Sequence, residues 1–165
     1  MSLYDNQILV ASGIGITPAL AAINAFKSSR LINLIWAVRD PEMLEFFLEH
    51  MYLDHDGWNL IFYTGKEPLT LDLEEWSNSN VRVVKGRPQL SYLIPNIIYG
   101  NENESAAFSL WEQSEEQITC VKDLGDDVMS TWGMMYCGGS KEVMSALRGI
   151  SIDYNIDLHI DSFAW

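Results

Sequence analysis

Short apolar runs that alternate with helix-forming segments constrain this chain more than any other feature of its sequence. Residues 7–12 and 31–38 are such runs, and their length and β-branched content predict strands buried on both faces of a sheet. A helix is expected after the first run, with Thr17 as its N-cap and Pro18 at its first position. Strands that alternate with helices predict a parallel sheet covered by helices on both faces.

The same pattern continues along the rest of the 165 residues. Four further strands are predicted, at residues 58–63, 81–84, 134–137 and 156–163. Three further helices are predicted, at residues 41–51, 89–99 and 141–148. Pro95 is expected to interrupt the second of these, and the first is expected to bury Met43, Phe46, Phe47 and Met51. We therefore expect the α/β class, as a Rossmann-like three-layer sandwich around a mostly parallel sheet of five or six strands.

The charge of the chain argues against several classes of function. Ten basic residues stand against 23 acidic ones, which gives a net charge of −13. A surface this acidic repels nucleic acids and anionic lipids, so neither is an expected partner. No apolar run reaches the roughly 18 residues of a membrane-spanning helix, and no secretory leader is expected ahead of residue 7.

Cysteine content and local composition further limit the kinds of site and segment that this chain can contain. Cys120 and Cys137 are too few for a disulfide framework or a zinc site, so no metal centre is expected and the chain suits a reducing compartment. Residues 101–127 contain eight acidic residues and a single lysine. We expect this stretch to be a solvated insertion, and the alternative is a docking segment for a basic regulator. Residues 1–6 are expected to be a starting segment or linker.

The residues that follow the first strand are typical of an anion-binding turn. In open parallel sheets, ligands bind at the carboxyl ends of the strands, near the point where the strand order reverses. Residues 13–18 read Gly-Ile-Gly-Ile-Thr-Pro; the glycines let the backbone approach a phosphate, and the helix start offers free N–H groups. They do not complete the fingerprint G-x-G-x-x-G, because position 18 is proline. A tight turn without a ligand is the alternative interpretation.

Basic residues also collect at the predicted strand ends. Four of the ten lysines and arginines follow three of the strands: Arg39, Lys66, Lys85 and Arg87. They favour a phosphate-bearing nucleotide, for which arginine offers a bidentate fork, and the alternative is that each neutralises nearby acids. The fifth strand ends at Cys137, for which nucleophile, ligand contact and core packing all stay open.

Taken together, these motifs resemble the nucleotide-binding module of the ferredoxin-NADP reductase superfamily, in particular the C-terminal domain of ferric reductases and NADPH oxidases. The motifs are residues 8–18, 36–40, 63–65, 86–88 and 136–139. Residues 162–165, Ser-Phe-Ala-Trp, are similar to the aromatic tail of plant and fungal ferric reductases. The resemblance covers residues 7–165 as one NAD(P)-binding domain, apart from the acidic insertion at about 101–127.

The resemblance implies a role for each of these motifs. At the diphosphate and the nicotinamide ribose it implies Gly13, Gly15, Ile16, Thr17 and Pro18. Along the adenosine and its 2′-phosphate it implies Arg39, Thr64, Gly65, Lys66, Arg87 and Pro88. Beside the nicotinamide it implies Cys137, Gly138 and Gly139, and over the flavin ring of a separate FAD domain it implies Trp165. Cys137 and Trp165 are the residues implied for catalysis.

By this resemblance the chain is the NADPH-binding module of a transmembrane flavocytochrome, either a ferric-chelate reductase or an NADPH oxidase. NADPH gives hydride to FAD, and FAD passes single electrons through haem to iron or oxygen. The expected partners are the FAD domain and the haem-containing membrane domain of the same protein, with cytosolic regulators, at the cytosolic side of a membrane. This fragment is expected to be soluble, to hold FAD poorly and to be inactive alone.

Two other functions stay open from the sequence. One is a soluble flavin-dependent reductase, or the electron-transfer subunit of an oxygenase or dehydrogenase. The other is a non-catalytic nucleotide-binding interaction module that kept the fold and lost the chemistry. Hydride transfer from NADPH to a cognate FAD domain distinguishes an enzyme from an interaction module.

Overall fold

Strands and helices alternate along the described part of the chain. The computed structural model describes residues 5–78, 80–100 and 131–162. The strands are β1 (Asn6–Ser12), β2 (Leu31–Val38), β3 (Asn59–Tyr63), β4 (Val81–Lys85), β5 (Trp132–Gly138) and β6 (Asp157–Ser162). The helices are α1 (Ile16–Phe26), α2 (Pro41–His50), α3 (Leu90–Gly100) and α4 (Lys141–Tyr154). Short 3₁₀ turns occur at Gly13–Gly15 and Leu73–Trp76.

The six strands form one sheet in the order β4-β3-β2-β1-β5-β6, and every neighbouring pair is parallel. The chain therefore runs outward from β1 to β4 and returns to β5 on the other side of β1. This return puts the switch point of the strand order between β1 and β5, whose last residues are Ser12 and Gly138. The predicted Rossmann-like α/β class is confirmed, with six strands that are all parallel.

Helices cover both faces of the sheet and define two hydrophobic cores. Leu9 and Trp36 belong to the core that α1 and α2 cover, and both are fully buried. Ile8 and Ile94 belong to the core that α3 and α4 cover, and both are again fully buried. Successive residues of β1 alternate between the two cores, because neighbouring side chains of a strand point to opposite faces. This burial on both sides explains the unbroken apolar run that predicted the strand.

The predicted start of α1 is wrong. Thr17 is not its N-cap; that position belongs to Gly15, whose backbone is already helical. The 3₁₀ turn Gly13–Gly15 leads straight into the helix, and no side chain caps it. The glycine turn therefore replaces the hydroxyl cap that the sequence predicted, and Pro18 lies within the first helical turn.

The predicted end of α4 is also wrong. The helix does not stop at residue 148 but continues through Gly149 to Tyr154, where Asn155 ends it in a left-handed conformation. A glycine inside a helix costs about 1 kcal/mol relative to alanine. Leu147 and Ile150 are buried on either side, and their burial outweighs that cost.

Pro95 does not interrupt α3, which is helical on both sides of it. Proline lacks the N–H that would bond the carbonyl of Ser91, but Ser91 is exposed, so solvent can replace that bond. Ile94 and Ile97 flank the proline and are fully buried, so packing holds the helix across it.

In α2, Phe46 does not face the core as predicted, because its side chain is 54% exposed. Leu44 and Leu48 are buried there instead. The other three residues predicted to face inward are partly buried against the core; they are Met43, Phe47 and Met51.

Several predictions concern residues outside the described part of the chain. They include the acidic insertion at 101–127, Cys120, the aromatic tail and the role of Trp165. The domain limits of 7 and 165 stay a prediction. Within the described ranges, no helix is both long and apolar enough to cross a lipid bilayer.

Candidate functional site

A cleft of about 870 Å³ opens at the carboxyl edge of the sheet, over the switch point between β1 and β5. The residues that follow β1 to β5 contribute to it, and one side of α4 forms a wall. The predicted site residues that line it are Gly13, Arg39, Thr64, Arg87, Pro88, Gly138 and Gly139. Separate parts of the sequence thus meet in one cavity, at the position where open parallel sheets bind ligands.

The remaining predicted residues of the described chain lie beside this lining. They are Gly15, Ile16, Thr17, Pro18, Gly65, Lys66 and Cys137. Gly15 and Ile16 are buried at the start of α1, whereas Thr17 and Lys66 are exposed. Trp165 lies outside the described residues.

The exit of β1 is fixed by contacts with its two neighbouring strands. Gly13 has a φ of +54°, in the left-handed region that favours glycine. Its carbonyl accepts a hydrogen bond of 2.9 Å from the indole Nε1–H of Trp36 in β2. On the other side, a Cβ at Gly15 would lie 2.0 Å from the carbonyl oxygen of Cys137 in β5. The start of α1 therefore rests on the backbone of β5 at a distance that only glycine allows.

The exit of β5 is held by the hydroxyl group of Tyr136, a fully buried residue. Its Oη lies 2.6 Å from Ser12 Oγ, and it accepts a hydrogen bond of 3.1 Å from the backbone N–H of Ser140. A Cβ at Gly138 would lie 2.2 Å from Ser12 Oγ and 2.6 Å from Tyr136 Oη. Position 138 therefore has to be glycine as long as the serine–tyrosine pair is in place.

Two exposed arginines give one end of the cleft a positive charge. Arg39 follows β2 and Arg87 follows β4, and both line the cavity. No carboxylate of the described residues lies within ion-pair distance of either guanidinium group. α4 contributes Glu142 and Asp153 to the lining, so the cleft is basic beside β2–β4 and acidic along α4. The arginine end favours a bound anion.

Residues 4–69 match the family model of the ferric reductase NAD binding domain. The matched segment extends from the start of β1 past the end of β3, and it includes Gly13, Arg39 and Thr64 of the cleft. The match confirms the family resemblance predicted from the sequence, and it supports pyridine-nucleotide binding and an NAD(P)H oxidoreductase family. No curated protein matches the chain.

Two helices begin near the edge of this cleft. α1 starts behind the Gly13–Gly15 turn, and α4 starts at Ser140, whose Oγ accepts a hydrogen bond of 3.3 Å from the N–H of Val143. The first N–H groups of a helix lack intrahelical partners and lie at the positive end of its dipole. At the start of α1, however, the N–H of Ile16 already bonds carbonyls of the 3₁₀ turn, so it is the start of α4, which lines the cleft, that favours an anion.

The thiol of Cys137 lies outside the lining of the cleft. Its side chain is fully buried in the core that α1 and α2 cover. Burial raises the pKa of the Cys137 thiol to about 11, and the nearby carboxylate of Asp161 adds to the rise. The thiol is therefore protonated at neutral pH, which disfavours a thiolate nucleophile. A contact between Cys137 and the nicotinamide stays a prediction.

Sequence reasoning assigned no site role to three polar residues around the switch point: Ser12, Tyr136 and Ser140. The preference of serine for helix N-caps could have indicated Ser140. No local signal could have indicated the pair formed by Ser12 and Tyr136, which are 124 positions apart in the chain. Tyr136 has the pattern of an ordinary core residue, because it lies within a buried strand.

Proposed function

We propose that this chain is the NADPH-binding module of a ferric reductase or NADPH oxidase, and that it presents the nicotinamide for hydride transfer to an FAD held by another domain. The observation that carries this proposal is the cleft itself. Two glycine-lined strand exits and the start of α4 border one cavity, and two arginines without a described carboxylate partner line its far end.

The residues present fit a pyridine dinucleotide. A volume of about 870 Å³ falls within the range of roughly 300–1,000 Å³ that small-molecule sites occupy. Gly13, Gly138 and Gly139 line the cavity without side chains, so a diphosphate can approach the backbone there. When bound, a reduced nicotinamide nucleotide supplies a hydride; the chain itself supplies binding and orientation.

The arginine end of the cleft suits the adenosine half and its 2′-phosphate. Arg39 and Arg87 are exposed, so a phosphate dianion can approach both. Thr64 lines the cleft at the end of β3, the strand between β2 and β4, and its hydroxyl can donate a further hydrogen bond. Lys66 lies two residues further on and adds positive charge near this end. This arrangement supports a preference for NADPH over NADH.

The other end of the cleft suits the diphosphate and the nicotinamide. Gly138 and Gly139 leave room for a flat ring beside the end of β5, near the acidic side chain of Glu142. The proposal assigns Trp165 to the face of the flavin, as the resemblance implies, although this residue lies outside the described chain. The proposed partners are an FAD domain and a haem-containing membrane domain, at the cytosolic side of a membrane, with iron or oxygen as the final acceptor.

Nucleotide titration of this chain tests the proposal. Isothermal titration calorimetry with NADPH and NADH compares the wild type with Arg87→Ala and with Arg148→Ala, an exposed arginine of α4 outside the cleft. We expect Arg87→Ala to weaken NADPH by about 10- to 100-fold, since a charge-assisted hydrogen bond contributes roughly 1.5–3 kcal/mol. NADH affinity is expected to change little, and Arg148→Ala is expected to bind both nucleotides as the wild type does.

Three results would contradict parts of this proposal. A wild-type chain that binds neither nucleotide would remove the nucleotide-binding function. Equal weakening of NADPH and NADH by Arg87→Ala would assign that arginine a structural role beside Pro88 instead of recognition of the 2′-phosphate. A yellow purified chain, with FAD bound tightly, would show that the flavin is held here and not by another domain.

A further inference from the structure

We propose that Tyr136 is a positioning residue that sets the width of the nucleotide cleft at the switch point. The inference rests on the proposed function and adds a residue that the cleft lining does not include. The side chain of Tyr136 is fully buried, so it acts through the residues it holds and not by contact with the nucleotide.

The hydroxyl of Tyr136 joins three parts of the chain. It bonds Ser12 at the end of β1, at 2.6 Å, and it accepts the N–H of Ser140 at the start of α4, at 3.1 Å. Ser12 and Ser140 both line the cleft, as does Gly138, which lies directly over this hydroxyl. One buried oxygen atom thus joins the two strand exits and the start of α4, beyond the last paired residues of β1 and β5, where the diphosphate is proposed to bind.

Neighbouring contacts leave little other freedom at this edge. The carbonyl of Gly13 is held by the indole N–H of Trp36, and Gly15 packs on the carbonyl of Cys137. These contacts hold the turn after β1 against β2 on one side and against β5 on the other. The hydroxyl of Tyr136 is the contact that ties this turn to the start of α4, so its loss is expected to let the two exits move apart.

The first experiment removes the hydroxyl and keeps the ring. Tyr136→Phe is compared with Tyr92→Phe, a buried tyrosine of the same core that does not line the cleft. Calorimetry measures binding of NADPH and of 2′,5′-ADP, which carries only the adenosine half. We expect Tyr136→Phe to weaken NADPH about tenfold and 2′,5′-ADP less than about twofold, because the two hydrogen bonds of the hydroxyl are both lost at the diphosphate end. Tyr92→Phe is expected to bind both probes as the wild type does.

The second experiment needs no nucleotide. Amide hydrogen exchange on the same variants reports local opening of the backbone. We expect faster exchange at residues 13–15 and 138–140 in Tyr136→Phe, with unchanged exchange in β3 and β4. If Tyr136→Phe does not fold, Ser12→Ala breaks the same bond from the cleft side, and the exchange pattern is read on that variant.

These outcomes separate this inference from the proposed function. If the wild type binds no NADPH, the proposed function fails, and exchange still decides whether Tyr136 holds the two exits. A lower melting temperature with unchanged NADPH affinity and unchanged local exchange would overturn the inference and leave Tyr136 as an ordinary core residue. Equal weakening of NADPH and 2′,5′-ADP, with faster exchange throughout the sheet, would overturn it as well.

Discussion

Buried polar groups at the carboxyl edge and at the amino edge of this sheet differ in whether they have hydrogen-bond partners. At the carboxyl edge, the hydroxyl of Tyr136 and the indole N–H of Trp36 both have hydrogen-bond partners. At the amino edge, both ring nitrogens of His55 and the amide group of Asn59 are buried without a partner at hydrogen-bonding geometry among the described residues. A paired network fixes geometry, whereas buried polar groups without partners reduce stability. We infer that the carboxyl edge is held in a fixed geometry and that the buried polar groups of the amino edge reduce the stability of the fold.

Both edges nevertheless depend on a glycine that packs against a neighbouring backbone. At the carboxyl edge, a Cβ on Gly15 would lie 2.0 Å from the carbonyl oxygen of Cys137. At the amino edge, a Cβ on Gly57 would lie 2.0 Å from the carbonyl oxygen of Ile32. The same steric defect can therefore be introduced at either edge, and its effects on stability and on nucleotide binding can be compared.

The largest loss of stability is expected from Gly57→Ala. Position 57 combines the clash with a φ of +117°, which residues with a side chain rarely adopt. We therefore expect the free energy of unfolding to fall by roughly 3 kcal/mol or more. Urea denaturation measures the change. Gly149→Ala is the control, since nothing lies within 4 Å of a Cβ there, and it is expected to gain up to about 1 kcal/mol. Molecules of Gly57→Ala that remain folded are expected to bind NADPH with wild-type affinity, and weaker binding would contradict the division between the edges.

Gly15→Ala is expected to lose less stability than Gly57→Ala, but it is also expected to bind the nucleotide more weakly. Its φ is ordinary, so the clash alone costs about 2–3 kcal/mol. The start of α1 has to move away from β5, and we expect NADPH affinity to fall about tenfold or more as the helix start is displaced. Calorimetry under conditions where the variant is folded measures this. Wild-type affinity in that variant would mean that the cleft tolerates a shift of α1.

A smaller effect is expected from pH at the amino edge. Burial lowers the pKa of His55 below its ordinary 6.5, and the charge of Lys27 adds to that effect, while the carboxylates of Asp54 and Asp56 and the nearby side chain of Asn59 oppose it. The folded chain therefore takes up the imidazole proton less readily than the unfolded chain does. Stability is full above pH 6.5 and falls as the pH drops below that value towards the lowered pKa. Each unit of difference between the folded and unfolded pKa costs about 1.4 kcal/mol.

Denaturation at several pH values tests this dependence. We expect His55→Gln to flatten the decline of stability between about pH 7 and pH 5, where the unfolded imidazole takes up its proton. His50→Gln, which removes an exposed histidine of α2, is expected to keep the decline. A decline of equal size in the wild type and in His55→Gln would assign it to other groups.

Local pattern predicted most of the fold and the sequence positions that line much of the cleft. Buried strands have unbroken apolar runs, and the rule that ligands bind after parallel strands singled out Gly13, Arg39 and Arg87, which do line the cavity. The failures concern contacts between distant residues. Phe46 was expected in the core because the spacing of apolar residues alone does not decide which side of α2 faces the sheet. Tertiary packing buries Leu44 and Leu48 instead.

The contacts at the switch point were not predicted for the same reason, because they join residues that are distant in the sequence. Glycine at 15 was predicted for close approach to a phosphate, but its nearest neighbour is the carbonyl of Cys137. That neighbour depends on the pairing of β1 with β5, which no local pattern reports. Tyr136 and Ser12 were missed for the same reason, since only the assembled sheet brings their hydroxyl groups together.

The central position of β1 also bears on how the chain folds. β1 to β4 connect through short crossovers, whereas the pairing of β1 with β5 joins parts of the chain as distant as Asp5 and Thr131, which are 126 positions apart and hydrogen-bonded. Closing so long a loop costs more chain entropy than closing the short ones and slows the step that depends on it. The β1–β4 half is therefore expected to form first, and the cleft is completed only when β5 docks. If the cleft binds the nucleotide as proposed, this ability is expected only at the end of folding, once β5 lies beside β1.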